Sequence, residues 1–145
     1  MNMFFHGTSC DNYEDIINGG YIYCVSNMGH STEVINGALE KFTGEDLRGY
    51  AVYLTQNKDL IKAYDTNIEI NEEDLNTNLL YVADYKLANS IYLGINKGIN
   101  KKLLRHYIKK YKRSIVEYSK YKEMETEYNK YHEPEFLYFG DIKVR

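Results

Sequence analysis

The sequence predicts an α+β fold, and three observations carry that reading. Apolar, strand-like runs stand near both ends and in the middle of the chain: Met3 to His6, Leu79 to Tyr85 and Phe136 to Val144. Between the last two, Leu103, Leu104, Tyr107, Ile108, Tyr111, Ile115 and Tyr118 recur at spacings of three and four, the period of an amphipathic helix. The chain has 145 residues, 43% of them hydrophobic and 27% charged, which is enough apolar material for one buried core over residues 1–145 and too little for a second.

In chain order, Met3 to His6 is a short apolar strand running into His6-Gly7-Thr8. A helix follows, with Asp11 as N-cap, Glu14 as its capping-box partner and Gly19-Gly20 as the stop. Tyr21 to Val25 resumes a strand. Residues 26 to 48 are mixed helix and loop, because Gly29, Gly37 and Gly44 interrupt a weak helical pattern near Ser31 and Thr32. Ala51 to Thr55 is a strand, and Asn57 caps a short helix through Tyr64. Residues 65 to 78 are polar and acidic, which reads as an exposed connection. Leu79 to Tyr85 is a buried strand and Ser90 to Leu93 a shorter one. One long helix or two shorter ones span Ile99 to Tyr128, and Phe136 to Val144 closes the chain as a strand.

The net charge of −3 hides an asymmetry. Residues 1 to 94 hold 5 Lys and Arg against 14 Asp and Glu, a net −9, while residues 95 to 145 hold 13 against 7, a net +6. The positive charge gathers in Lys101, Lys102, Arg105, Lys109, Lys110, Lys112 and Arg113. Such a cluster can attract nucleic acid or an acidic partner, or it can simply be the solvated face of a helix. Tyrosine is abundant, at 16 residues with no Trp, but a genome poor in G and C would raise Tyr, Asn, Ile and Lys together. Position must therefore decide which tyrosines matter.

No apolar run approaches the 18 or so residues of a membrane span, and Met1 to Cys10 lacks the basic and apolar parts of a signal peptide. Cys10 and Cys24 are too few for a disulfide scaffold and have no zinc-like spacing. A cytoplasmic protein with reduced thiols, no membrane partner and no metal is expected. His30, His106 and His132 show no metal-ligand spacing and receive no role.

Three pieces bear on chemistry: His6-Gly7-Thr8 leaving the first strand, Tyr53 within Gly49-Tyr-Ala-Val-Tyr-Leu-Thr with Tyr64 eleven residues on, and Glu135 opening the last strand. Together they resemble the diphtheria-toxin-like and poly(ADP-ribose)-polymerase-like ADP-ribosyltransferases, which carry a His-Tyr-Glu triad in this order. Leu79-Leu-Tyr-Val-Ala-Asp-Tyr and Glu135-Phe-Leu-Tyr-Phe-Gly-Asp-Ile are similar to the family's buried and catalytic strands. The resemblance implies a split antiparallel sheet with flanking helices. It also implies NAD+ as substrate, contacted by His6, Gly7, Thr8, Tyr53 and Tyr64, with Glu135, His6 and Tyr53 catalytic.

The chemistry of these residue types fits that implication. Breaking the nicotinamide–ribose bond develops an oxocarbenium-like cation, which a carboxylate such as Glu135 stabilises. Nicotinamide in NAD+ is a flat cation that two tyrosine rings can clamp. A histidine can hold a ribose hydroxyl, and a glycine lets its backbone approach the carboxamide. Two features depart from the family. Ile61 stands where many polymerase-like members have serine, and Glu133-Pro-Glu135 resembles the E-x-E of arginine-modifying toxins. Glu133 is thus an acceptor-side candidate base, its alternative being a solvated surface carboxylate.

The function implied is mono-ADP-ribosylation of a macromolecule, expected to be a protein. The chain is similar in size to stand-alone transferases of phages and mobile elements, including anti-CRISPR ones, and to intracellular toxins. An NAD-dependent RNA 2′-phosphotransferase is an alternative, although Arg48, Arg105 and Arg113 form no recognisable phosphate-gripping pattern. A non-catalytic module that binds nucleic acid or protein through Lys101 to Arg113 is another.

Overall fold

The structure is a computed structural model that describes residues 2–24 and 51–144. The stretch read as mixed helix and loop, with Val25, Arg48, Gly49 and Tyr50, lies outside the described residues.

Strand β1 (Met3–Thr8) leads into helix α1 (Cys10–Gly19) and the two-residue strand β2 (Tyr21–Ile22). The α1 cap is Ser9, whose Oγ accepts the Asn12 N–H at 3.2 Å, and not Asp11. Because β1 runs on to Thr8, Ser9 is the extended residue that meets the helix; Asp11 sits in the first turn, where a carboxylate favours the helix dipole. Gly20 ends α1 in the left-handed conformation, at φ 80°.

After strand β3 (Val52–Leu54), Asn57 does cap, accepting the Asp59 N–H at 3.0 Å. It starts only a 3-10 turn, Lys58–Ile61, and Tyr64 follows with its N–H on the Ile61 carbonyl. Residues 66–71, expected to be exposed loop, form strand β4 (Thr66–Asn71) with Ile68 and Ile70 buried. Thr-Asn-Ile-Glu-Ile-Asn alternates apolar with polar, so one face reaches the core while the sequence average stays polar.

Strand β5 (Leu80–Asp84) ends on an aspartate that caps helix α2 (Tyr85–Lys97). The strand expected over Ser90 to Leu93 is therefore helix, burying Ala88, Ile91 and Gly94 at spacings of three. A Cβ on Gly94 would come within 2.6 Å of Ile99 Cδ1 and 2.9 Å of Leu104 Cδ2, so glycine permits the tight return into helix α3 (Lys101–Ser114). The span read as one long helix or two shorter ones breaks at Ile115: strand β6 (Val116–Glu117) pairs with β5, then helices α4 (Tyr118–Glu123) and α5 (Glu125–Tyr131) follow. The last apolar run divides into β7 (Pro134–Tyr138) and β8 (Ile142–Lys143).

All pairings among the described residues are antiparallel. Strand β7 lies between β3 and β5, with β6 at the outer edge; β1 pairs with β4, and β2 with β8. Among the described residues a single bridge, Phe5 to Thr55, joins the β1–β4 pair to β3. One face of the four-stranded sheet packs Ala83 and Leu137 against Ile91 of α2 and Leu104, Ile108 and Tyr111 of α3. The opposite face packs Leu54, Val82 and Phe136 against Phe4, Tyr118, Tyr121 and Tyr128.

Several tyrosines are core material with satisfied hydroxyls. Tyr121 meets Phe136 edge-on at 5.6 Å and bonds Asn129, while Tyr128 donates to the Ser114 carbonyl at 3.0 Å. Tyr118 donates to Glu72, and burial raises the pKa of the Tyr118 hydroxyl. Among the described residues no helix is long and apolar enough to cross a membrane.

Candidate functional site

The bridge between Phe5 and Thr55 consists of two backbone bonds, Phe5 N–H to Thr55 carbonyl at 2.7 Å and Thr55 N–H to Phe5 carbonyl at 3.0 Å. In an antiparallel ladder the next bonded pair would be Gly7 with Tyr53. Instead the His6 imidazole reaches the Tyr53 carbonyl, with Nδ1 3.0 Å from the oxygen. The sheet opens at this point, β1 departing with β4 and β3 staying with β7.

A carbonyl oxygen only accepts, so Nδ1 of His6 carries the proton in this bond. Burial lowers the His6 pKa below its ordinary 6.5, against the opposing pull of the Tyr53 carbonyl. The ring is therefore neutral near pH 7, and Nε2 holds a lone pair that can accept a hydroxyl proton.

Tyr64 lies over Gly7. A Cβ built on Gly7 would stand 2.7 Å from Tyr64 Cδ2 and 3.0 Å from Ile61 Cβ. Only hydrogen at this position lets the ring rest on the β1 backbone. Ile61 thus borders the same spot with an apolar surface. The Tyr64 ring is half exposed, at 49%.

Register fixes the rest. Tyr53 pairs with Leu137, and Glu135 lies two residues along β7, so Tyr53, Leu137 and Glu135 point to one face. Phe5 pairs with Thr55, which also belongs to that face, so the side-chain direction of Gly7, and with it Tyr64, lies on the same side. Glu135 is half-buried opposite Ala83. The ladder continues one bond further, from the Tyr85 N–H to the Glu133 carbonyl at 2.9 Å, which keeps Glu133 on the alternation of Glu135.

His6 and Thr8 leave β1 on the opposite side. Their strand partners are Ile68 and Thr66; Thr8 is buried, and the His6 ring turns into the opening. The structure thus brings Gly7, Tyr53, Tyr64, Glu133 and Glu135 to one face with His6 at the opening, and leaves Thr8 away from them.

A second polar cluster was not legible in the sequence. Asp84 is buried, and its Oδ1 accepts the Lys86 and Glu133 N–H groups at 3.0 and 3.1 Å. Its Oδ2 lies 2.7 Å from Nδ1 of His132. An aspartate ending an apolar strand signals a helix cap, but nothing in the sequence couples it to a histidine 48 residues away. Among the described residues no group of three or more His, Cys, Asp or Glu is placed to hold a metal ion.

No protein-family model, curated protein or solved structure matches this chain.

Proposed function

We propose that the chain is a mono-ADP-ribosyltransferase that cleaves NAD+ and transfers ADP-ribose to a macromolecular acceptor, on a split sheet of the ADP-ribosyltransferase kind. The observation that carries this reading is the common face of Tyr53, Tyr64 and Glu135 beside an opening held by His6. Two aromatic side chains on separate elements of one face are the groups that could hold a flat cationic ring. Gly7, having no side chain, lets the Tyr64 ring pack against the β1 backbone and so sets the position of one of the two rings.

In the proposed reaction the bond between ribose C1′ and the nicotinamide nitrogen breaks, and nicotinamide leaves with the electron pair. The cation left on the ribose is stabilised by the Glu135 carboxylate, worth on the order of 10² to 10³ in rate. His6 Nε2 accepts a ribose hydroxyl proton in a hydrogen bond and fixes the sugar. The acceptor nucleophile bonds to C1′ and gives its proton to a base, for which Glu133 is the candidate.

Release of nicotinamide from NAD+ by the purified protein tests the proposal. The wild type should exceed Glu135→Gln by about 10² or more. Equal rates for the two would reject it.

A further inference from the structure

Helix α3 is oddly charged for a helix whose basic side is only solvated. Lys101, Lys102, Arg105, Lys109, Lys110, Lys112 and Arg113 are all exposed, and its 14 residues contain no carboxylate. Lys101–Arg105, Arg105–Lys109 and Lys109–Arg113 are like-charge pairs at i, i+4, each costing about 0.2–0.5 kcal/mol. Two lysines also stand in the first turn, at the positive end of the helix dipole, with no acidic residue there. Lys112 and Arg113, in the last turn, suit the negative end of the dipole, but the first-turn lysines and the like-charge pairs do not stabilise the helix, and a polyanion would relieve them.

The stripe from Lys101 to Arg113 spans about 18 Å at 1.5 Å per residue, and its C-terminal end opens on a cavity of about 450 Å³. Lys86, Lys110, Arg113, His132, Tyr131 and Asp84 line this cavity. The only carboxylate among them is 3% exposed and committed to two backbone N–H groups and to His132. With its Nδ1 held by Asp84, His132 can meet a ligand in the cavity only through Nε2. Among the described residues no carboxylate lies within ion-pair distance of Lys86, Lys110 or Arg113. Tyr131, 64% exposed, stands at the rim as an aromatic platform.

We propose that this cavity and the α3 stripe form a binding site for single-stranded nucleic acid, with a phosphate held by Lys110, Arg113 and Lys86 and a base stacked on Tyr131. Cations that track a backbone beside an exposed ring are the recurring construction for unpaired strands, because every unstacked base offers a π-face. A duplex offers none at this position. The site does not rest on the NAD+ reading. It does lie next to that face, since Asp84 holds the Glu133 N–H.

The test is fluorescence anisotropy of the full chain with labelled 12-nucleotide RNA and DNA strands, a matching duplex and a poly-glutamate peptide, all without NAD+. Affinity for a single strand should fall with salt, with a log–log slope of about −2 to −4 for three to five phosphate contacts. Lys110→Glu combined with Arg113→Glu should weaken binding at least about tenfold and flatten that slope. Tyr131→Ala should lose roughly fivefold or more with the slope unchanged. The exposed Lys143→Glu, remote from α3, controls for total charge, and circular dichroism checks that each variant is folded. RNA and DNA arms show which sugar is preferred. Absence of strand binding, an equal loss in Lys143→Glu, an unaffected Tyr131→Ala, or equal affinity for the duplex or the peptide would each overturn the proposal. Nicotinamide release is measured separately, so failure here leaves the NAD+ reading standing and the reverse.

Discussion

The His6 imidazole occupies the carbonyl of Tyr53 where the β1 backbone would bond if β1 and β3 stayed paired past Phe5 and Thr55. A side chain thereby satisfies the acceptor that the opening of the sheet exposes. This bond links the two halves of the sheet to the proposed site.

His6 should make stability pH-dependent. Its folded pKa is lowered by burial, so below about 6.5 the unfolded chain takes up a proton that the folded protein refuses. Stability is full above that pH and declines as pH falls from about 6.5 toward the folded pKa. Urea denaturation from pH 8 to 5 should show this slope, and His6→Gln should lose its share of it. A wild-type profile flat across that range contradicts the assignment.

Gly7→Ala should affect both stability and NAD+ binding. The added Cβ presses on Tyr64 Cδ2 at 2.7 Å and on Ile61 Cβ at 3.0 Å, so ring and 3-10 turn must both shift, at a cost of about 1–3 kcal/mol. The melting temperature should fall, and in the folded variant KM for NAD+ should rise several-fold. An unchanged KM would remove Tyr64 from the nicotinamide slot.

Glu133→Gln should leave NAD+ hydrolysis in the absence of acceptor near the wild-type rate. Transfer to an acceptor should fall by about 10² if Glu133 takes the acceptor proton. Equal transfer by wild type and variant would mark Glu133 as a surface carboxylate.

Asp84 and His132 should be energetically coupled. A double-mutant cycle of Asp84→Asn and His132→Gln in urea should give an interaction of roughly 0.5–3 kcal/mol, as for residues in direct contact within one network. Asp84→Asn alone should also weaken the α2 cap, which the Lys86 N–H makes with the carboxylate. Strict additivity would mean that the 2.7 Å contact contributes nothing to stability.

Local pattern made much of the fold legible: the strands around Phe4, Val82 and Phe136, the stop at Gly20 and the amphipathic period of α3 all follow from neighbours a few residues away. Two errors have one cause. Ile68 and Ile70 sit in a polar stretch and Ser90 to Leu93 in an apolar one, so average polarity misled where alternation and the Asp84 cap decide. The order of His6, Tyr53, Tyr64 and Glu135 was readable, because residue type and spacing are properties of the chain.

Sequence alone thus determined the α+β class and the side chains available for chemistry. Tertiary structure decided which of them come together: the register that puts Glu135 on the same face as Tyr53, the packing of Tyr64 on the Gly7 backbone, and the pairing of Asp84 with His132. The physical reason is distance along the chain. Strand register and contacts between residues tens of positions apart depend on how whole faces pack, and no local propensity encodes them.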